Sequence, residues 1–496
     1  MSIPGVLAIL SVAGTFAALG ALSAVVAAHF RWRWLIPPII VGPPLLVLLV
    51  GTVGVGVITQ RFHLDGAPFI GMAISFLLGV VLALMLVVIG SAGASDPRAQ
   101  RWRPGVVLAM LMTFLVVTVA SLLWIDRQRL DRIEVFRARS TALKESLSFP
   151  VDPVDDAGPV YMAAIEFFDT ADGKTALERV HDLLSDSPVD AEGAREAIKP
   201  FRSHIDRVLE ATSRTRCSFG HDPRTFGLET VMPMPEWSGS RNIARLLALE
   251  AHVAAVDRDA RRAEQSINGM VRLANHVGQT PTLTWALVAD AIRALARTTY
   301  LEAGATIDLD PGCLQDHEGT SRRTEMKNAL VMERAVMTDA VCRVAIGNDT
   351  SNLEEVNELF PMLPAPPARW AYRSLVLPTE LEELDGYFDL FDAALNRPGA
   401  DLPALPPHPR GILTYVLLPA LDMAVVSVGY AEQLDRIPPI AAAARRFERD
   451  HGRWPTALDE LVPRYLDVIP DDLLAPVRAP MRMAIVDGNL VIYSVG

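Results

Sequence analysis

Two short groups of side chains have the types that metal sites use. Cys217 lies four residues before His221, and Cys313 is followed by an Asp-His-Glu run at residues 316–318. Thiolates, imidazoles and carboxylates all ligate zinc, but a zinc site draws its ligands from two such groups at a characteristic spacing. Neither group has a second half. We therefore predict no metal site and interpret both groups as ordinary surface or core residues.

Acid–base chemistry has equally isolated candidates. His204, His252 and His276 could each serve as a general base, but a histidine on an amphipathic helix is more often a surface or core residue. The chain has no nucleophile elbow, phosphate-binding loop, zinc-protease helix or dinucleotide fingerprint. The sequence thus indicates no catalytic residue and no cofactor. The alternative to a protein without catalytic activity is a membrane-bound enzyme of the hydrolase class, with an unrecognised site in a helical domain.

An acidic stretch from Trp370 to Leu395 could offer oxygen ligands to calcium. Its carboxylates do not alternate around a central glycine, as a calcium-binding loop requires. A solvated helix face is the simpler interpretation. Proline-rich linkers at 361–367 and 398–409 flank the stretch and cannot continue a helix. The carboxylates are Glu380, Glu382, Glu383, Asp385, Asp389 and Asp392.

The residues that could carry chemistry follow an apolar N-terminal region. Half of the 496 residues are apolar and the mean hydropathy is +0.26, more than an ordinary soluble domain carries. Four stretches without Asp, Glu, Lys or Arg reach the roughly 20 residues that a membrane helix needs, which predicts a four-helix transmembrane anchor at 1–128. Because none has an ionisable residue near its centre, a transporter is disfavoured. The stretches are Ile3–Ala28, Leu35–Thr59, Ala67–Ser91 and Val106–Ile125.

The chain after residue 130 is acidic. The first 130 residues contain eight Arg and three Asp, so the remainder has 38 basic and 55 acidic residues and a formal charge of −17. Nucleic-acid binding depends on clustered Lys and Arg and is therefore not expected. The expected contacts are the lipid bilayer, through the apolar stretches, and other proteins.

Residues 129–436 have the periodicity of a mainly α-helical soluble domain. In Arg241–Gly304, apolar residues recur every three or four positions in three runs, separated by the turn at Asp257–Asp259 and by Pro281. These runs predict stacked helical hairpins. The acidic turn followed by Ala263 weakly resembles a tetratricopeptide unit. No second copy follows at a period of about 34 residues, so a plain helical domain is favoured over a repeat array. Either architecture offers a groove or face for peptides, and neither implies catalysis.

Two further helices are expected in this domain. The apolar face of Arg322–Ile346 predicts a helix on which Glu333 and Arg334 point about 100° apart, so they do not pair with each other. We interpret them as solvated or structurally paired charges. Residues 412–431 are apolar over a membrane's width, but a proline and an aspartate interrupt them. A buried core helix is favoured there over a fifth span.

Residues 437–496 predict a small α+β module. Apolar residues at helical spacing lead to Gly452, where the helix ends before a Trp-Pro corner. Thr456 and Asp459 form a variant capping box for a short helix through Leu461. An Asp-Gly pair between two apolar runs then predicts a β-hairpin. The structural corner residues of this module are Trp454, Pro455, Pro463, Tyr465, Pro470, Asp487 and Gly488.

This module resembles the globular end of the major pseudopilins of type II secretion. The shared features are the His-Gly-Arg-Trp-Pro run at 451–455, the Leu-rich turn after it, and the Ile-Pro-Asp-Asp step at 469–472. Where pseudopilins have Pro-Trp-Gly, this chain has Leu-Leu-Ala at 473–475, and it has no prepilin leader. The resemblance therefore implies a pilin-like fold, and we expect neither filament assembly nor the calcium site of that family.

The whole arrangement also resembles large uncharacterised membrane proteins of planctomycetes and related bacteria. Those proteins end in similar His-Gly-x-x-Pro and Tyr-Ser-x-Gly segments, with the second at 493–496 in this chain. The resemblance implies a multi-pass protein of the bacterial inner membrane, with no known activity. The basic residues near the spans divide seven to five between the two sides, which leaves both orientations open. Because pilin-like modules lie outside the cytoplasm, we expect the soluble domain there, as a membrane-anchored protein-interaction or scaffold protein of the cell envelope.

Overall fold

The computed structural model shows a mainly helical chain with a small antiparallel strand region at its C-terminal end, as the sequence predicts. The four predicted membrane spans lie outside the described residues. Within the described ranges, every helix is too short or too polar to cross a bilayer. The structure describes residues 127, 130–185, 189–227, 234–315, 321–346, 377–396, 419–475, 477 and 479–495.

Twelve helices precede four short strands in the described part of the chain. The helices are α1 (130–146), α2 (Gly158–Phe168), α3 (Ala171–Ser185), α4 (Ala191–Ile198), α5 (Arg202–Ala211), α6 (Pro235–Val256), α7 (Ala260–Val277), α8 (Leu283–Ala303), α9 (Arg322–Ile346), α10 (Leu377–Leu395), α11 (Pro419–Leu434) and α12 (Ile437–His451). Short 3₁₀ turns occupy Lys199–Phe201, Pro223–Thr225, Pro311–Leu314 and Leu458–Leu461. The strands are β1 (Asp471–Asp472), β2 (Ala479–Pro480), β3 (Arg482–Val486) and β4 (Asn489–Tyr493).

The described residues divide into two compact units. The larger unit holds the described residues from Arg139 to Ala340 and those from Asp385 onward. The smaller unit holds the described residues before Arg139 and those from 341 to 384. In the smaller unit, the side chain of Arg132 lies 3.6 Å from that of Glu382, and the Cys342 thiol lies 3.8 Å from the carbonyl oxygen of Ile133.

The core of the larger unit is built on α6, α7 and α8, each of which packs against the other two. The predicted helical runs of residues 241–304 are therefore present. Apolar residues recur on α7 at intervals of three and four, from Ala263 to Val277, and all of these are buried. Asp259 caps α7 by accepting a hydrogen bond from the backbone N–H of Arg262 at 3.0 Å. The periodicity thus selects the buried face, and the acidic turn starts the second helix.

Helix α9 begins and ends where the sequence predicts, and its adjacent charges diverge. Glu333 is buried and accepts a hydrogen bond from the backbone N–H of Leu283 at 3.2 Å. Arg334 donates to Asp385 at 2.6 Å and to Asp389 at 2.8 Å. The acidic stretch is therefore more than a solvated face, because two of its carboxylates hold α9.

Helix α12 forms the start of the C-terminal module and contributes to two apolar clusters. Ala442 belongs to the main core, whereas Ile440 and Phe447 pack with Leu458 and Leu461 in a second cluster. The helix ends at Gly452, whose φ of +65° is the left-handed conformation that glycine adopts without steric cost. The helix and its end are thus as predicted.

The short helix after the corner is a 3₁₀ turn, and its cap differs from the predicted one. Thr456 does not pair with Asp459. Its backbone N–H donates to the Glu460 carboxylate at 2.7 Å, and its hydroxyl contacts the same oxygen. Arg453 donates to the other oxygen of Glu460 at 2.7 Å. Glu460 can reach back because the tight turn brings it over Thr456.

The hairpin predicted at Asp487 and Gly488 is present as β3 and β4, paired from Arg482 with Tyr493 to Val486 with Asn489. Asp487 and Gly488 have φ values of +53° and +80°. Positive φ at both central residues matches the two-residue turn that suits the twist of a hairpin. Sequence chemistry alone therefore sets this turn.

The corner residues fall into three degrees of burial. Pro455 is buried, and Trp454, Tyr465 and Pro470 are half-buried. Tyr465 packs edge-on against Phe447 with 5.7 Å between ring centroids and donates its hydroxyl to Asp450 at 2.6 Å. The remaining three corner residues, Pro463, Asp487 and Gly488, are exposed.

Asp472 links the last residues of the chain to α11. The carboxylate is buried and accepts from the Ser494 hydroxyl at 2.7 Å, the Val495 N–H at 2.8 Å and the Gln433 amide at 3.0 Å. Burial is the largest single influence on its pKa and raises it, but the hydrogen bonds together outweigh burial and hold the pKa below its ordinary value. The carboxylate is therefore stabilised in its charged form.

Asp472→Ala will lower the free energy of unfolding by about 2–4 kcal/mol, because the buried Gln433 amide and the partly buried donors of Ser494 and Val495 lose a charged acceptor. The loss is measured by urea unfolding at pH 7. Since the folded pKa of Asp472 is depressed, its contribution is present above the unfolded pKa of about 3.9 and is lost as pH falls through the folded pKa. The difference from the wild type will therefore shrink below about pH 4.

The matched control is Asp459→Ala, which removes an exposed carboxylate from the same module. It should change stability by less than about 0.5 kcal/mol. Equal losses for the two variants would contradict the assignment of Asp472 as an anchor.

Candidate functional site: an apolar groove beside a chain of ion pairs

Helix α11 is apolar on two faces. One face supplies Leu421, Val425 and Val428, which are buried. The opposite face carries Met423, which is 70% exposed, and Tyr430, which is 54% exposed. A helix that is apolar all round normally lies within a core or against another apolar surface. The second face of α11 therefore lacks a cover among the described residues.

The exposed face of α11 forms a groove with α8. Leu287 of α8 and Leu434 of α11 are both largely exposed and stand on the two walls. The groove has a volume of about 270 Å³, room for one or two large side chains. Contiguous apolar surface of this kind, unlike scattered exposed residues, marks interaction sites. The complete lining is Leu287, Asp290, Met423, Val426, Ser427, Tyr430, Ala431 and Leu434.

Asp290 is the one charged residue in this lining. Its Oδ1 atom accepts from Arg322 at 2.6 Å and from Arg293 at 3.3 Å. Its Oδ2 atom is buried and accepts no hydrogen bond within the described part of the chain. A buried acceptor without a donor costs free energy. The accessible walls of the groove are therefore apolar, and Asp290 Oδ2 is not accessible from it.

Asp290 also belongs to a chain of alternating charges behind α11. Arg293 donates to both oxygens of Glu325, at 2.6 and 2.8 Å. Arg322 bridges Asp290 and Asp435, and Arg297 donates to the second oxygen of Asp435, each at 2.6 Å. The members, from one end to the other, are Glu325, Arg293, Asp290, Arg322, Asp435 and Arg297.

Burial and neighbouring charges shift the pKa values at both ends of this chain. Burial raises the pKa of Glu325, and Arg293 opposes that shift without reversing it. Burial lowers the pKa of Arg297, and Asp435 offsets this only in part. Burial also acts to lower the pKa of Arg322, but Asp435 and Asp290 together reverse the direction. The middle of the chain is therefore better compensated than its two ends.

A cavity of about 460 Å³ opens along this ion-pair chain. Arg293, Arg297 and Arg322 reach it from α8 and α9, and Asp435 reaches it from the turn after α11. The lining also includes Pro311 and other residues of a 3₁₀ turn and the start of α12. The cavity lining therefore combines the charged groups of the ion-pair chain with apolar side chains.

A second polar cluster lies around Trp285 at the start of α8. His221 Nε2 is 3.6 Å from Glu236 Oε1, too far for a hydrogen bond, and the His221 ring lies 6.1 Å from that of Trp285. His221 Nε2, Glu236 Oε2 and the indole N–H groups of Trp237 and Trp285 have no hydrogen-bond partner among the described residues. Burial raises the pKa of Glu333, which contacts the backbone at the start of the same helix. The cluster has an acid and a base but no bonded dyad.

Each of the three histidines predicted as possible bases contacts other residues of the protein. The His276 ring accepts from the buried Tyr161 hydroxyl at 2.7 Å and contacts the Arg214 carbonyl oxygen at 2.9 Å through its other nitrogen. His252 lies 3.2 Å from Glu302, and burial lowers its pKa. His204 stacks on Phe167, with 4.7 Å between ring centroids. These contacts account for the rings without a substrate.

The cysteines are not arranged as metal ligands in the described part of the chain. No group of three or more His, Cys, Asp or Glu residues able to hold a metal occurs there. Burial raises the pKa of Cys217 well above its ordinary value and that of Cys313 to about 12, which disfavours both thiolates. The Asp-His-Glu run at 316–318, which follows Cys313 in the sequence, lies outside the described residues.

Sequence reasoning missed the ion-pair chain and the groove. The available signal was the spacing of Asp290, Arg293 and Arg297, which at intervals of three and four share one face of α8. Three charges on one face of an otherwise apolar helix predict partners on neighbouring helices. The partners themselves, on α9 and after α11, follow only from the packing.

Comparison of the chain with protein-family models, with curated proteins and with solved structures found no match.

Proposed function

We propose that this chain is a membrane-anchored protein-interaction or scaffold protein of the bacterial cell envelope, with the groove of α8 and α11 as its docking surface. The observation that supports this is the second apolar face of α11, on which Met423 and Tyr430 are exposed about two turns apart. An isolated exposed residue needs no explanation, whereas a grooved apolar stripe indicates a partner.

Two features of the sequence support the proposed location in the cell envelope. The four apolar stretches of residues 1–128 would serve as a multi-pass anchor in the inner membrane. The module of residues 437–496 would form a pseudopilin-like tip, and the helical hairpins a tetratricopeptide-like body. In this proposal the body and the tip lie outside the cytoplasm, where they meet other envelope proteins.

The occupant we propose for the groove is an amphipathic helix of a partner protein with a Lys or Arg beside its apolar face. Large apolar side chains of such a helix would insert between Leu287 and Tyr430, as in other helix-in-groove complexes. The formal charge of −17 after residue 130 favours a basic partner and disfavours an anionic lipid surface.

Site-specific photo-crosslinking in intact cells tests this proposal. A photoreactive amino acid at position 423, in the groove, should give a discrete protein adduct. The same amino acid at Val468, which is equally exposed at 69% but lies outside the groove, should give none. Mapping the adduct to an apolar segment that carries Lys or Arg would support the proposal. Crosslinks to lipid alone, or identical adducts at both positions, would contradict it.

The alternative function, a membrane-bound enzyme of the hydrolase class, has one observation in its favour. His221 and Glu236 are close together with unsatisfied buried atoms, as a general base and its orienting carboxylate would be before substrate binds. Hydrolysis of p-nitrophenyl acetate by the full-length protein, reduced about 100-fold or more in His221→Ala, would favour it. Hydrolysis no faster than in buffer, or unchanged in the variant, would exclude this pair as the site.

A further inference from the structure

The cavity of about 460 Å³ behind α11 has a size typical of small-molecule sites. Its polar wall presents three guanidinium groups, from Arg293, Arg297 and Arg322. Two carboxylates, Glu432 and Asp435, also line it. A ligand can be recognised here only if the ion pairs leave some of these polar groups without a hydrogen-bond partner.

The three arginines of the ion-pair chain differ in how many hydrogen-bond acceptors they contact. Arg293 contacts two carboxylates and the Asn275 side chain, and Arg322 lies between two carboxylates. Arg297, at the end, contacts a single oxygen of Asp435 through Nη1. A guanidinium has five N–H donors. In the described part of the chain, the Nε and Nη2 donors of Arg297 and the Nη2 donors of Arg322 therefore have no acceptor.

Arg297 is the terminal cation of the ion-pair chain and has a carboxylate on one side only. Arg297 and Arg322 share one carboxylate, that of Asp435, and Arg322 shares its other carboxylate with Arg293. The side chain of Arg297 is only 10% exposed, so water compensates its charge poorly. Burial accordingly lowers the pKa of this guanidinium. A negative group beside Arg297 would give this terminal cation a second anionic contact.

We propose that the cavity binds a small oxyanion, a carboxylate or phosphate group, against the unused N–H donors of Arg297 and Arg322. Planar guanidinium groups hold such oxyanions through paired, charge-assisted hydrogen bonds. The apolar side chains of the lining, among them Val271 and Leu314, would contact the body of a ligand that carries the anionic group. This inference uses a different face of α11 from the groove and does not depend on the docking proposal.

Titration of the purified full-length protein with inorganic phosphate and with acetate, at constant ionic strength set with chloride, tests the proposal. Binding is followed by calorimetry and by the rise of the thermal midpoint. A response to phosphate alone indicates a phosphate-bearing ligand, and a response to acetate alone indicates a carboxylate-bearing ligand. Both outcomes support the oxyanion site. Absence of a response to either anion would overturn it.

Three variants distinguish this cavity from other basic surfaces. Arg297→Gln should weaken binding of the responding anion about tenfold or more, because it removes the terminal charge. Arg445→Gln is the matched control: this partly buried arginine bonds the Leu301 carbonyl and does not line the cavity, so binding should be unchanged. Circular dichroism checks that each variant is folded.

Asp435→Asn tests the same site in the opposite direction. It removes the carboxylate that Arg297 and Arg322 share, so anion affinity should rise about threefold or more. Equal binding by the wild type and Arg297→Gln, or weaker binding by Asp435→Asn, would overturn the proposal even if one variant proves unstable.

Discussion

Arg293→Ala will destabilise the larger unit by about 3–5 kcal/mol, the largest stability effect expected for any single change in the ion-pair chain. Glu325, whose side chain is 2% exposed, would lose the cation that donates to both of its oxygens. A buried carboxylate without its partner must either remain charged in an apolar site or take up a proton. Urea unfolding followed by tryptophan fluorescence measures the loss.

The pH dependence of this variant follows from the pKa of Glu325. That pKa is already raised by burial, and removal of Arg293 takes away an opposing influence. A carboxyl group with a raised folded pKa favours the folded state only when protonated, so its stabilising contribution is lost as pH rises through the folded pKa. The deficit of Arg293→Ala will therefore be largest near pH 7 and smaller below about pH 4.3.

An exposed ion pair supplies the control for Arg293→Ala. Arg195 contacts Glu192 and Asp257 at the surface, where solvent screens the interaction, so Arg195→Ala should lower the free energy of unfolding far less than Arg293→Ala does. If both arginine variants lost the same stability, the chain behind α11 would have no special role. Arg293→Met combined with Glu325→Leu should recover much of the loss, because apolar side chains can replace a buried pair.

Met423→Asp combined with Tyr430→Asp will reduce partner binding about tenfold or more, the largest functional effect expected from the groove. Both side chains are exposed, so the charges cost the free protein little, but each would be desolvated under an apolar partner. The readout is the yield of the photo-crosslinked adduct formed from position 426, which lines the same groove. The yield should fall while the thermal midpoint stays within about 2 °C of the wild type.

Val468→Asp is the control for the groove variant, since it places a negative charge on an exposed apolar residue elsewhere. It should leave the adduct yield unchanged. A fall in yield for Val468→Asp would show that added negative charge in general, rather than the groove, controls binding. No change for the double variant would remove the groove from the proposed function.

The sequence predicted the elements of this protein better than its site. The period of three and four residues identified α6, α7 and α8, because an amphipathic helix records its buried face locally. Gly452 and the Asp-Gly pair at 487–488 marked a helix end and a hairpin, because positive φ restricts residue type. The cap on Thr456 was assigned to the wrong acid, because Asp459 and Glu460 are adjacent and only the turn geometry chooses between them.

The local sequence pattern did not predict the candidate site. The apolar run at 412–431 was compatible with a core helix or a span, and the described helix there has 16 residues with one apolar face buried and one exposed. Periodicity could not separate these faces, because both are apolar. Likewise, Glu333 and Arg334 were correctly kept apart as non-partners, but the Leu283 backbone and Asp385 became their partners through packing.

The sequence by itself determined the helical class of the body, the ends of its central helices and the C-terminal hairpin, because these depend on contacts between residues near in the chain. Only the tertiary structure decided the groove and the arginine-lined cavity. Asp290, Arg322 and Asp435 are far apart in sequence and meet because α8, α9 and α11 pack together. Charge pairing acts through space, so its partners follow from the fold rather than from spacing along the chain.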